Sequence, residues 1–409
     1  MKNNIFKNTV SLYIINIAKL ILPLVTLPYL TRVLSKDCYG VVSYVKSTMQ
    51  YMQMLIDFGF VLSGTKDIIK SMGDKNKLSS ETSSIFFAKL LLSGTSAGIM
   101  LIFTMIIPIL RNNFGFTLLS FIPVFLTVFL FDYFFRSIEQ MHIITMRFVA
   151  MKLTSTILTF ILVKSDNDML LIPVLDIIGS IIAVIMVWYE LKKKNVRIVR
   201  VSFRTVLNKI KKSVVYFVSD IATTAFGALN TLLIGIYMNE ADVAEWSLCM
   251  QLVVAVQSMY APITSGIYPE MVKNRNIRVV KKVMKIFVPL ITAGCIFTLI
   301  VAEYALLIVG GHQYTDAADV LRCLVPVMFF SFFSRIYGWP TLGAIGKSKE
   351  TSFTTIISAV IQIGGIVLLI YINKLNLISI AILRGITEFL LFILRYRYYL
   401  KYKDKFAHD

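Results

Sequence analysis

Apolar residues run through this chain in blocks about as long as a bilayer is thick, for example 85–110 and 116–135, with short polar or basic stretches between them. A helix rising about 1.5 Å per residue needs about 20 residues to cross the hydrocarbon layer. The pattern predicts twelve spans, at 9–34, 40–65, 84–110, 116–140, 143–163, 169–190, 212–237, 243–270, 283–309, 319–342, 352–373 and 376–400. Displaced by half the chain length, the first six fall within a few residues of the last six. Equal span numbers with even topology predict two halves of the same orientation, related by an axis along the membrane normal. The expected fold is an all-α polytopic membrane protein of about 12 transmembrane helices in two six-helix lobes around a central cavity. The expected parts are an N-terminal lobe at 1–191, a basic cytoplasmic linker at 192–211, and a C-terminal lobe with a short cytoplasmic tail at 212–409.

Composition strengthens this reading. Of 409 residues, 57% are hydrophobic and only 16% charged, where a soluble protein would have about a quarter charged. The net charge of +19 would suggest nucleic acid in a soluble chain. Here Lys and Arg favour one set of connections and adjoining span ends over the other by roughly five to one, as the positive-inside rule requires. Both termini are therefore expected in the cytoplasm, and residues 1–9 followed by a full span do not read as a cleavable signal peptide. The linker, with Lys192, Lys193, Lys194, Arg197, Arg200, Arg204 and Lys209, is expected to meet the anionic headgroups of membrane lipids.

The chemistry lies in polar positions inside the spans. In span 2, Lys46, Gln50, Gln53 and Asp57 recur at one-face helical spacing. Lys46 and Asp57 are roughly 16 Å apart along the axis, too far to pair. Span 1 adds Asn16 and Lys19, with Pro23 and Pro28 beyond as a predicted kink. Span 7 carries Asp220, Thr223 and Asn230 at similar spacing, and span 8 carries Gln251. Neutral residues of this kind commonly join helices by hydrogen bonds. Charges in lipid cost far more, so Lys19, Lys46, Asp57 and Asp220 are expected to face a watery cavity. Asp132, Arg136, Asp176, Arg384 and Glu388 are candidates either for cavity charges or for structural ion pairs. Asp132 with Arg136, and Arg384 with Glu388, have the i, i+4 spacing of intrahelical pairs.

Enzymatic classes find little support. The four cysteines and three histidines are scattered, so no disulfide framework or metal site is expected. The run Gly343-Ala344-Ile345-Gly346-Lys347-Ser348 imitates the end of a phosphate-binding loop, but Thr341 stands where the first glycine belongs. External connections are short, which leaves no room for a folded catalytic domain, and no nucleophile with a base partner stands out.

The stretch Leu22-Pro23-Leu24, then Pro28-Tyr29-Leu30-Thr31-Arg32-Val33-Leu34, Tyr39-Gly40 and Asp57-Phe58-Gly59 resembles the start of the Wzx-type flippases of bacterial polysaccharide repeat units, the O-antigen transporters. Leu342-Gly343-Ala344-Ile345-Gly346-Lys347 is similar to the segment before that family's eleventh span. The resemblance implies a MATE-like fold, shared with multidrug exporters and the lipid II flippase, and location in the bacterial inner membrane. It implies no enzyme and no cofactor, but movement of an undecaprenyl-diphosphate-linked oligosaccharide, a lipid-linked cargo, to the periplasmic leaflet by alternating access. A polysaccharide polymerase and a chain-length regulator are the protein partners it suggests. Lys19 and Lys46 would then hold the diphosphate, while Asn16, Gln50, Gln53, Thr223, Asn230 and Gln251 contact sugar hydroxyls. Without an ATPase, uphill movement would need a proton or sodium gradient, with Asp57 and Asp220 as coupling candidates, or removal of product. Two central lysines argue against an exporter of organic cations, and the short external connections argue against a polysaccharide polymerase. A scaffold of an assembly complex would not need the polar stripes.

Overall fold

The computed structural model describes residues 2–407, with the side chains of residues 2–10, 12, 219, 220 and 222–228 outside that description. The described residues are helical with no strand beyond a single bridge between Asn276 and Ala407. Ten segments are long and apolar enough to cross a membrane. The more polar passes at α2–α3 and α10 (below) make the whole compatible with twelve crossings. The chain packs as two compact units, Met1–Thr224 and Ala225–Asp409.

In the first unit α1 (Lys2–Val33), α2 (Lys36–Asp57), α3 (Phe60–Ile69) and α4 (Lys75–Ile106) lead to two short helices, α5 (Pro108–Asn112) and α6 (Phe114–Leu126). After a 3-10 turn at Thr127–Leu130, α7 (Asp132–Ser137) precedes α8 (Met141–Leu162), α9 (Leu171–Lys193) and α10 (Phe203–Tyr237), whose residues from Ala225 on belong to the second unit. α1 continues through Pro23 and Pro28. Pro23 lacks the N–H that would reach the Lys19 carbonyl, and the Thr26 hydroxyl donates to Leu22 and Pro23 carbonyls nearby. Span 2 breaks where Phe58 and Gly59 both take left-handed φ, at 42° and 72°. A Cβ on Gly59 would lie 2.5 Å from the Tyr216 Cβ, so only glycine fits there. Phe58 stacks on Phe217 of α10 at 4.2 Å between ring centroids.

The basic linker is strapped to the first unit. Ser79 and Ser83 of α4 accept from the N–H groups of Arg197 and Val199. Lys209 is buried and donates to Asp67, with Glu81 as its second ion-pair partner. Burial alone would lower the Lys209 ammonium, but hydrogen bonds with those carboxylates outweigh it and hold the group above the usual lysine value. Lys192, Lys193, Lys194, Arg200 and Arg204 remain exposed.

In the second unit α11 (Glu240–Ser258) starts on a capping box of Asn239 and Asp242. It is followed by α12 (Tyr260–Asn274), α13 (Ile277–Gly310), α14 (Ala318–Ile336), α15 (Ser348–Tyr371) and α16 (Leu377–Lys401). Tyr260, Met271, Ile277, Phe332, Ile336 and Tyr399 form a buried cluster. The chain ends by returning to it. Phe406 joins the cluster, and Ala407 exchanges backbone hydrogen bonds with Arg275 and Ile277.

Candidate functional site

Helix α8 is the spine on which the first unit's charges are arranged, since it packs against both α1 and α9. A Cβ on Gly179 of α9 would lie 2.5 Å from the Met151 carbonyl oxygen of α8. Glycine there lets the two backbones approach closely, which is a common device between membrane helices. One turn from Gly179, Asp176 then meets α8. It accepts from the Ser155 hydroxyl at 2.7 Å and lies 3.5 Å from the Lys152 ammonium. Lys46 on α2 shares the field of Asp176 and Lys152. At the C-terminal end of α8, the Tyr29 hydroxyl of α1 donates toward the carbonyls of Phe160 and of Val163 just beyond it at 3.0 and 2.7 Å.

A second group lies lower on the same helix. Asp132 is ion-paired with Arg147 of α8, and not with Arg136 as its i, i+4 spacing suggests. The reason is topological. The chain turns between α7 and α8, so Arg147, six residues into α8, comes level with Asp132, five residues before the end of α7. The Lys19 ammonium sits 5.6 Å from the Phe148 ring centroid, a cation–π distance. It interacts electrostatically with Arg136, Asp132 and Arg147. This group therefore holds three cations, Lys19, Arg136 and Arg147, and one carboxylate, Asp132, which is ion-paired with Arg147.

The third group is closed. Lys89 of α4 is buried and donates to Asp57 at 2.9 Å and to the Thr127 carbonyl at 3.4 Å. Gln53 donates to the other Asp57 oxygen at 2.8 Å and to the Thr127 hydroxyl at 3.0 Å. These four residues join the break after α2 to the 3-10 turn before α7. The stripe expected on span 2 is thus divided. Lys46 and Gln50 are exposed, whereas Gln53 and Asp57 turn inward to Lys89 and Thr127.

In the second unit, Asn230 accepts from Gln362 at 3.1 Å, and Gln362 accepts from Thr387 at 2.7 Å. Arg384 and Glu388 form the expected intrahelical pair at 3.0 Å, and Ser334 donates to the same carboxylate at 2.7 Å. Arg395 donates to the Ser334 carbonyl and to the Thr354 and Thr355 hydroxyls. It fills the space beside Gly338, where the helix after α14 departs from helical geometry.

Among the described residues, Lys19, Lys46 and Arg136 are in no ion pair. Asn16, Gln50 and Gln251 make no side-chain hydrogen bond among those residues, and no His/Cys/Asp/Glu group there could hold a metal. The side chains of Asp220 and Thr223 lie outside the described residues. Lys89, Arg147 and Lys152, which the sequence pattern does not single out, prove to be the partners of Asp57, Asp132 and Asp176. For Lys152 a signal existed, since it lies deep in an apolar span by the same count that singles out Lys19 and Lys46.

Comparison with known proteins adds relatives to this geometry. The family described as polysaccharide biosynthesis protein matches residues 5–275. A protein of Escherichia coli K12 named for O-antigen transport is 25% identical over 362 residues, covering 86% of this chain and 86% of that protein. A Shigella dysenteriae protein of the same name is 25% identical over 366 residues, covering 87% and 91%. Among solved structures, the lipid II flippase MurJ in an inward closed conformation superposes with a TM-score of 0.73 at 11% identity, over 97% of this chain and 87% of that one. An inward-facing multidrug resistance MATE family transporter of the MOP superfamily gives 0.67 at 15% identity, over 95% and 99%. At these identities the structures share a fold with this chain, which is MATE-like.

Proposed function

The chain belongs to the polysaccharide biosynthesis protein family, and on that footing we propose that it flips lipid-linked oligosaccharide repeat units of a surface polysaccharide across the bacterial inner membrane, with both termini in the cytoplasm. The observation that carries this reading is the surplus of cations within apolar helices of the first unit. Lys19, Lys46 and Arg136 lie beside carboxylates already engaged by other groups. A positive surplus at membrane depth is costly unless an anion or water offsets it. The anion common to lipid-linked oligosaccharides is a diphosphate, here an undecaprenyl diphosphate, and cations act on it most strongly where water is scarce. The relatives named for O-antigen transport and the likeness to a lipid II flippase support the same class of cargo.

In this reading Lys19 and Lys46 attract the diphosphate, and exposed amides such as Gln50 contact the sugar. The prenyl tail remains in lipid, and alternating access moves the polar part. A proton or sodium gradient, or removal of product by polymerisation, gives the movement its direction. The test is complementation of a deletion strain. Loss of the gene should leave lipid-linked repeat units facing the cytoplasm, and Lys19→Ala with Lys46→Ala should fail to restore surface polysaccharide. Full restoration by variants present at normal levels would remove the headgroup role.

A further inference from the structure

Lys19 and Lys46 belong to different charge groups on α8. Lys19 lies over Phe148, next to the Arg147–Asp132 pair. Lys46 lies in the field of Asp176 and of that carboxylate's ion-pair partner Lys152, which is four residues beyond Phe148 and five beyond Arg147. At helical rise those offsets are roughly 6 and 7.5 Å, about a diphosphate's own length. The upper group contains two ammoniums and one carboxylate, and the Ser155 hydroxyl already satisfies part of that carboxylate. The Lys152 side chain is 41% exposed and its 3.5 Å contact with Asp176 is long for an ion pair, so it can be surrendered at little cost.

We propose that Lys152 and Lys46 form a second diphosphate station, one to two helical turns to the external side of the station at Lys19, with Asp176 as the counterion that the diphosphate displaces. The inference rests on the flippase reading above and deepens it. A diphosphate carries more charge than one carboxylate and can bridge two ammoniums. Asp176 keeps the Ser155 hydroxyl when Lys152 turns to the ligand, so the carboxylate is not stranded. When the ligand leaves, Asp176 takes Lys152 back. The cargo then passes between two stations along α8 and is not clamped once by Lys19 and Lys46 together.

The test titrates the purified full chain in detergent with inorganic pyrophosphate and counts sites calorimetrically. Two sites are expected. Lys152→Gln and Lys46→Gln should each weaken the same one by about tenfold, and Lys19→Gln should weaken only the other. Lys152→Arg should bind as the parent does, which guards against misfolding as the cause. Asp176→Asn should tighten the upper site by removing its competitor. Unchanged binding by Lys152→Gln, or loss of one shared site in both Lys19→Gln and Lys46→Gln, would overturn the proposal. Surface polysaccharide separates it from the underlying reading. If Lys46→Gln fails to complement while Lys152→Gln complements fully, the flippase reading stands and the second station falls. If the parent chain binds no pyrophosphate and Lys46→Gln complements fully, both fall.

Discussion

In the first unit, Lys19, Lys46 and Arg136 stand beside carboxylates committed to Arg147, Ser155 and Lys152. In the second, Arg384 and Glu388 answer each other, Ser334 completes the carboxylate, and Arg395 is held by a carbonyl and two hydroxyls. Both units bury charge in apolar helices, and the hydropathy of one half echoes the other. What differs is closure. A buried pair whose remaining donors and acceptors are met serves to join helices. A cation at membrane depth without its own counterion is offset by water, by neutral acceptors or by an anion. Cations without an ion pair occur in both units, but in the second Arg335 bonds Gln257 and Arg395 bonds a carbonyl and two hydroxyls, whereas in the first Lys19 and Lys46 make no hydrogen bond among the described residues.

The strongest way to break this comparison is to open a closed network. Glu388→Ala removes the carboxylate that pairs with Arg384, whose side chain is 6% exposed, and should lower stability by about 3–5 kcal/mol, read as loss of folded protein in detergent melts. If it melts like the parent, the second unit's network is not structural. Lys89→Met leaves Asp57 without its cation. Because Asp57 is about a third exposed, the expected cost is smaller, about 1–3 kcal/mol, and Lys89→Met with Asp57→Asn should recover much of it.

The surplus cations should behave in the opposite way. Lys19→Gln, Lys46→Gln and Arg136→Gln should leave the melting temperature within a degree or two, since no partner is stranded and such changes stay within about 0.5 kcal/mol, while the first two abolish complementation. A marked loss of stability in Lys46→Gln would erase the contrast between the units. The smallest effect concerns the short turn at Asp166–Asp168. Burial works against the Asp166 carboxylate, but hydrogen bonds from Ser35 and Cys38 hold its pKa below the ordinary value. This tie contributes stability above the ordinary carboxylate range and loses it as pH falls through the lowered value. Acid titration of amide exchange at Ser35 should show that step in the parent and not in Asp166→Asn.

Much of this was legible in the chain itself. Blocks of apolar residues set the all-helical membrane architecture, because a buried backbone without water must satisfy itself within helices. The lysines at 19 and 46 could be singled out because charge at membrane depth is expensive wherever it points. The Arg384–Glu388 pair could be read because both partners lie on one face of one helix. The partners of Asp57, Asp132 and Asp176 could not. Lys89, Arg147 and Lys152 are 32, 15 and 24 residues away from them, on other helices. Which rows of side chains meet depends on turns such as the one between α7 and α8, and on close approaches such as Gly179 against Met151. Span positions and the cost of isolated charge are local properties of sequence. The identity of the counterion is a property of helix packing, and only the tertiary structure separates charges that are paired across helices from charges that are not.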